Sequence, residues 1–143
     1  MQNKLNCLLL VDDDEGHHFL TKLVIEETAV TRQIHTAWDG SEALDYVTSR
    51  GKFEANGDTY PKPDLILLDI NMPKMDGWGF MKEFNKLSDA QKRRTMIVML
   101  TTSENLDDRD RARAIEGIAD FKNKPLTPEM LEEMVQRYFR EHV

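Results

Sequence analysis

Five short apolar runs alternate with longer segments of helical spacing along this chain, and that alternation restricts its fold more than any other feature. The runs cover residues 5–11, 33–37, 64–68, 96–100 and a shorter piece at 119–121. Their length and polar boundaries predict strands. Leu65-Ile66-Leu67-Leu68 shows no polar alternation, which predicts a strand covered on both faces.

The intervening segments carry helical spacing. Phe19, Leu20, Leu23 and Val24 recur at intervals of three and four and predict a first helix. Asp39-Gly40-Ser41-Glu42 has the form of a capping box ahead of Ala43, Leu44 and Val47. Trp78, Met81 and Phe84 mark a third helix. The fourth, over residues 106–115, is weakly amphipathic, with Ala112 and Ile115 set among Asp107, Asp108, Arg109, Asp110, Arg111 and Arg113. In the fifth, Thr127 is a suitable N-cap and Pro128 a suitable first residue, followed by the stripe Leu131, Met134, Val135 and Tyr138. Parallel strands need crossover connections, so strand–helix alternation implies an α/β fold with a mostly parallel sheet.

The 143 residues suit one domain, read as 1–143, with no output domain expected. Residues 49–62, which include Gly51, Asn56-Gly57 and Pro61, predict an extended surface loop before the third strand. The net charge of −7 argues against unaided binding to nucleic acid or an anionic membrane. No apolar stretch approaches a membrane span, and no signal-peptide core is present near the start. Cys7 is the single cysteine and sits in an apolar run, so it reads as a small buried hydrophobe, and a reducing cytoplasm fits.

Polar residues that a core would not request collect at strand ends. Asp12, Asp13 and Asp14 follow the first strand, Asp69 ends the third, Thr101-Thr102 end the fourth, and Lys124-Pro125 follow the fifth. In open α/β sheets ligands bind beyond the carboxyl ends of strands where strand order reverses. For the order 2-1-3-4-5 that point lies between the strands carrying Asp12, Asp13 and Asp69. Carboxylates gathered there repel one another, and a hard divalent cation such as Mg²⁺ resolves the conflict. An ionised carboxylate is also a nucleophile toward phosphorus, and Lys124 and a threonine hydroxyl can meet phosphoryl oxygens.

Leu9-Leu10-Val11-Asp12-Asp13-Asp14, Leu67-Leu68-Asp69-Ile70-Asn71-Met72-Pro73-Lys74-Met75-Asp76-Gly77, Met99-Leu100-Thr101-Thr102 and Lys124-Pro125-Leu126 together resemble the receiver domain of two-component response regulators. The likeness runs through almost the whole chain in order and spacing. It is similar to the stand-alone regulators of the chemotaxis and phytochrome-associated kind. The resemblance implies a flavodoxin-like (βα)5 fold with a five-stranded parallel sheet in the order 2-1-3-4-5. It implies Asp69 as phosphoacceptor, Asp13 as a direct Mg²⁺ ligand, Asp12 as a ligand through water, and the Asn71 backbone carbonyl as a further ligand. It also implies Thr101 as switch hydroxyl, Phe121 as the aromatic switch partner, Lys124 as the phosphate-binding lysine, and a cis Lys124-Pro125 bond. A histidine kinase or phosphotransfer protein would be the donor. Output would leave by protein contacts of the face formed by the fourth helix, fifth strand and fifth helix, through which a homodimer could also form. Phe121 departs from the more familiar tyrosine, Gly79 from a helix-favouring residue. Asn71 and Ser103 stand where the family tunes dephosphorylation.

Weaker readings compete. Asp14 reads as a cap, His17-His18 as a partly exposed helix face rather than a metal site, and Met72, Met75 and Met81 as packing residues. A receiver-fold binding module working without phosphorylation would be expected to lack the acceptor, the acidic pair or the lysine. A Mg²⁺-dependent aspartyl-phosphate phosphatase would carry a second aspartate where this chain has Asn71.

Overall fold

The computed structural model describes residues 4–54, 59–92, 94–102 and 105–139. Strands β1 (Leu5–Val11), β2 (Thr31–Ala37), β3 (Leu65–Leu68), β4 (Met96–Thr101) and β5 (Ile118–Asn123) form one parallel sheet in the order β2-β1-β3-β4-β5. Helices α1 (Glu15–Thr28), α2 (Gly40–Thr48), α3 (Gly77–Phe84), α4 (Leu106–Ala114) and α5 (Pro128–Phe139) connect and follow the strands. Single turns at Gly51–Phe53 and Asp89–Lys92 complete the described elements. The architecture is flavodoxin-like, as expected. Strand β5 runs further at both ends than its apolar centre predicts, because pairing with β4 recruits Lys122 and Asn123 into the ladder.

Alternation along the strands divides the core into two layers. Leu9, Val11, Ile66, Leu68, Ile97 and Met99 point toward α2, α3 and α4, where they meet Ala43, Phe80, Met81, Phe84 and Ala112. Leu8, Leu10, Leu65, Leu67, Val98 and Leu100 point toward α1 and α5, where they meet Ile25, Leu131, Met134 and Phe139. All four residues of β3 are fully buried, so the uninterrupted apolar run is explained by cover on both faces. Each of these side chains contributes about 1.5–3 kcal/mol relative to exposure. Cys7 is buried with them, and burial raises its thiol to a pKa of about 11.

The helix starts follow local chemistry. Asp14, Asp39, Asp76 and Asn105 each accept a hydrogen bond from a first-turn amide of their helix, at 2.8–2.9 Å, and Thr127 does the same at 3.1 Å. The box at α2 closes one residue further back than the simplest form, because the Glu42 carboxylate accepts from the Trp38 amide.

Helix α1 is rotated relative to its apolar stripe. His18, Thr21 and Ile25 face the sheet and Val24 packs against the core as expected, whereas Phe19 and Leu20 are 63% and 58% exposed and Leu23 is also exposed. Both sets have helical spacing, and the side chains facing the sheet are fixed by what lies beneath them. His18 stacks on Trp38 with ring centroids 3.9 Å apart, so it is buried, contrary to the expectation of a partly exposed face. Residues 49–62 are anchored in their described parts. Ser49 ends α2 in the left-handed conformation, Phe53 is buried against Tyr46 and Tyr60, and the Tyr46 hydroxyl donates to the Pro61 carbonyl at 2.8 Å. Asn56, Gly57 and Ser103 lie outside the described residues.

Candidate functional site

Strand register brings the polar strand ends together. Val11 pairs with Leu68, so Asp12 and Asp69 leave β1 and β3 side by side, and the Asp69 amide donates to the Val11 carbonyl at 3.0 Å. On the far side Thr101 pairs with Asn123, and the Lys124 amide donates to the Thr101 carbonyl at 2.8 Å. The last strand thereby delivers a lysine to the edge where the first and third deliver carboxylates. Oxygens of Asp12, Asp13 and Asp69 all lie within 4.8 Å of one another.

The Lys124 ammonium enters this cluster. It pairs with Asp12 Oδ2, stands 3.5 Å from Asp69 Oδ2, and is almost completely buried. The Lys124-Pro125 peptide is cis, as expected. Removing one partner of a buried pair leaves an uncompensated charge, at a cost of roughly 3–5 kcal/mol. The remaining oxygens are also engaged. Asp12 Oδ1 accepts from the Asp14 amide at 2.9 Å, and Asp69 Oδ1 accepts from the Ile70 amide at 2.8 Å. Asp69 Oδ2 is thus the oxygen turned toward Lys124. Burial raises the Asp69 pKa, against the lowering effect of Lys124. Asp12 is buried and Asp13 exposed, so the cluster opens to solvent on the Asp13 side.

The other expected residues occupy the surroundings. Thr101 is fully buried at the end of β4. Phe121 is buried in β5, with the Arg109 guanidinium 5.6 Å from its ring centre. Asn71 lies on the exposed loop that follows Asp69. The structure therefore gathers Asp12, Asp13, Asp69 and Lys124 at one point, with Thr101 and Phe121 in the adjoining strands. Met81 is buried, and Met72 and Met75 pack against the core, as their reading as packing residues expected.

Glycines let the backbone close around the site. A β-carbon at Gly77 would lie 2.5 Å from the Asp69 carbonyl oxygen, and one at Gly40 would lie 2.6 Å from the Met75 carbonyl oxygen. The Gly77 amide donates to the Ile70 carbonyl and the Gly40 amide to the Met75 carbonyl, each at 2.8 Å. The loop carrying Asn71 is therefore clipped to α3 and to α2 by contacts that a side chain would obstruct.

One residue on the helix beside the cluster makes a contact that was not expected. His17 Nδ1 lies 3.3 Å from Lys124 Nζ. The sequence carried one relevant signal, its place three residues after the capping Asp14, but nothing in it linked positions so far apart. The neighbouring His18 belongs to the core, where burial holds its imidazole below the ordinary pKa range.

Residues 8–136 match the family model described as response regulator receiver domain. Among similar proteins, response regulator Rcp1 of Synechocystis sp. is 33% identical over 106 residues, covering 74% of this chain and 68% of that protein. The chain spans about half the length of several other curated relatives. It covers 49% of the probable transcriptional regulator ycf27 of Cyanidium caldarium, at 35% identity and with 97% of this chain aligned. A two-component response regulator from Cytophaga hutchinsonii superposes with a TM-score of 0.82 at 26% identity, covering 96% of this chain and 98% of that one. The Mn²⁺-bound form of Rcp1 superposes with a TM-score of 0.74 at 28% identity, covering 96% of both chains.

Proposed function

Because the chain belongs to the response regulator receiver family, we propose that it is a Mg²⁺-dependent signalling switch whose Asp69 accepts a phosphoryl group from a phosphohistidine. The donor is a histidine kinase or phosphotransfer protein. The observation that carries this reading is the meeting of Asp12, Asp13 and Asp69 with the Lys124 ammonium at the carboxyl edge of the sheet.

The donor set suits a hard divalent cation, since it offers carboxylate oxygens, and one of its three carboxylates is exposed to solvent. Asp13 and Asp69 would hold the ion directly, with the Asn71 carbonyl, and Asp12 would act through water. When bound, the cation neutralises charge on the transferred phosphoryl group. The Mn²⁺-bound form of the similar regulator Rcp1 supports that assignment.

Asp69 Oδ2 is the nucleophile in this reading, since Oδ1 accepts from the Ile70 amide and Oδ2 faces Lys124, the group that would meet the incoming phosphoryl oxygens. A new O–P bond forms on Asp69 as the P–N bond of the donor breaks, and the departing imidazole nitrogen keeps the electron pair and takes a proton. Lys124 stands where it can hold a phosphoryl oxygen opposite the acidic pair. Hydrolysis later returns Asp69 as a carboxylate and releases inorganic phosphate. While Asp69 carries the phosphoryl group, Thr101 acts as the hydroxyl that turns toward it, and Phe121 as the aromatic side chain that moves with that turn. Two populations of the α4-β5-α5 face would carry the output to a protein target or to a second copy of the chain. A location in the cytoplasm fits this reading.

Intact mass after incubation with acetyl phosphate tests the acceptor, with Mg²⁺ or with EDTA, on wild type and Asp69→Asn. A gain of one phosphoryl mass, about 80 Da, is expected only for wild type with Mg²⁺. Full labelling of Asp69→Asn would overturn the assignment of Asp69. No labelling of wild type, even by a histidine-phosphorylated donor, would favour a binding module that works without phosphate. Sustained turnover of small phosphate monoesters would instead favour a phosphatase.

A further inference from the structure

Lysine carries donors and no acceptor, so the 3.3 Å contact between Lys124 Nζ and His17 Nδ1 has one chemical sense. The Nδ1 lone pair accepts from the ammonium, and the imidazole is in its neutral Nε2–H form. Lys124 then has its directions assigned: Asp12 on one side, Asp69 on another and His17 on the third. His17 is itself fixed, because its backbone amide caps onto Asp14 Oδ1 at 2.9 Å in the first turn of α1. The partner that steers the lysine is thus built into a helix start.

We propose that His17 is a positioning residue for the phosphoryl-transfer site, holding Lys124 through Nδ1 in the orientation from which it meets the incoming group. This rests on the reading of Asp69 as acceptor and of Lys124 as the phosphate-binding lysine. The imidazole lies between two partners, with Nδ1 3.3 Å from Lys124 Nζ and 3.8 Å from Asp14 Oδ1, and the shorter contact is the one to the lysine. Asp12 and Asp69 stand behind the lysine.

The test compares wild type with His17→Ala and His17→Asn, since the asparagine oxygen can take the place of Nδ1 as acceptor. Labelling rates are measured at saturating acetyl phosphate and Mg²⁺. His17→Ala is expected to label more slowly by roughly three- to tenfold at pH 8, the scale of one partly exposed hydrogen bond to a charged group. His17→Asn is expected to recover most of that loss. Equal rates in all three proteins, or a His17→Asn rate no faster than that of His17→Ala, would overturn the proposal.

A second measurement needs no phosphorylation. Long-range proton–nitrogen correlation spectra of wild type at pH 8 are expected to show His17 as the Nε2–H tautomer, with the Nδ1–H share growing in Lys124→Met. A dominant Nδ1–H form in wild type would overturn the proposal, and that reading stands if Lys124→Met fails to fold. Wild type that never labels would sink the acceptor reading instead, and the tautomer would then decide on His17 alone.

Discussion

Helices α4 and α5 flank the same strand, yet they are held to the molecule in different ways. Helix α5 presses Leu131, Met134, Val135 and Phe139 into the core, all of them buried. Helix α4 offers a single buried side chain, Ala112, and its first residue, Leu106, is 72% exposed. Two guanidinium contacts help to bind α4. Arg111 lies 4.4 Å from the ring centre of Trp78 on α3, and Arg109 covers Phe121 and reaches Asn123 Oδ1 at 3.4 Å. Apolar burial scales with area and holds an element fast, whereas cation–π contacts at partly exposed sites contribute about 0.5–1 kcal/mol each. One helix is scaffold, and the other is a lightly held element beside the buried Phe121. Elements that move in signalling come from the weakly held end of this range.

That contrast breaks most readily at α5. Leu131→Ala is expected to destabilise the fold by about 2–5 kcal/mol, read as a lower urea midpoint with an unchanged slope. A loss below about 1 kcal/mol would mean α5 is no more firmly seated than α4. At α4, Arg111→Ala is expected to cost about 0.5–1 kcal/mol. The same variant should speed amide exchange along α4 while leaving α5 unaffected. Unchanged exchange would show that the Trp78 contact does not hold the helix. The smallest effect belongs to Leu106→Ser, within about 0.5 kcal/mol, because the side chain already stands in water. A larger loss in thermal unfolding would reveal cover over the start of α4.

The sequence is most legible where the physics is local. Caps at Asp14, Asp39 and Thr127 and the run in β3 could be read because each depends on neighbours a few residues away. The acidic cluster was legible for a different reason: strand order fixes which strand ends meet, so Asp12, Asp69 and Lys124 had to converge once the order was right. Rotation of α1 was not legible. The stripe of Phe19, Leu20 and Leu23 and the stripe of His18, Thr21 and Ile25 share one period, and only the stacking on Trp38 chooses between them. The contact of His17 with Lys124 was hidden too, because it joins a helix start to a strand end 107 residues away. The packing of Phe53 and Tyr60 around Tyr46 joins residues close in sequence, but Phe53 and Tyr60 lie outside the helical and strand periods that could be read.

The clipped loop after β3 has a mechanical meaning. With Gly77 drawn against the Asp69 backbone and Gly40 bonded to the Met75 carbonyl, the segment from Asp69 to Gly77 has little slack. Such a segment acts as a stiff strap between α2 and α3. Its attachments at Gly77 and Met75 hold the loop against both helices, so it cannot be drawn away from either without breaking a backbone hydrogen bond.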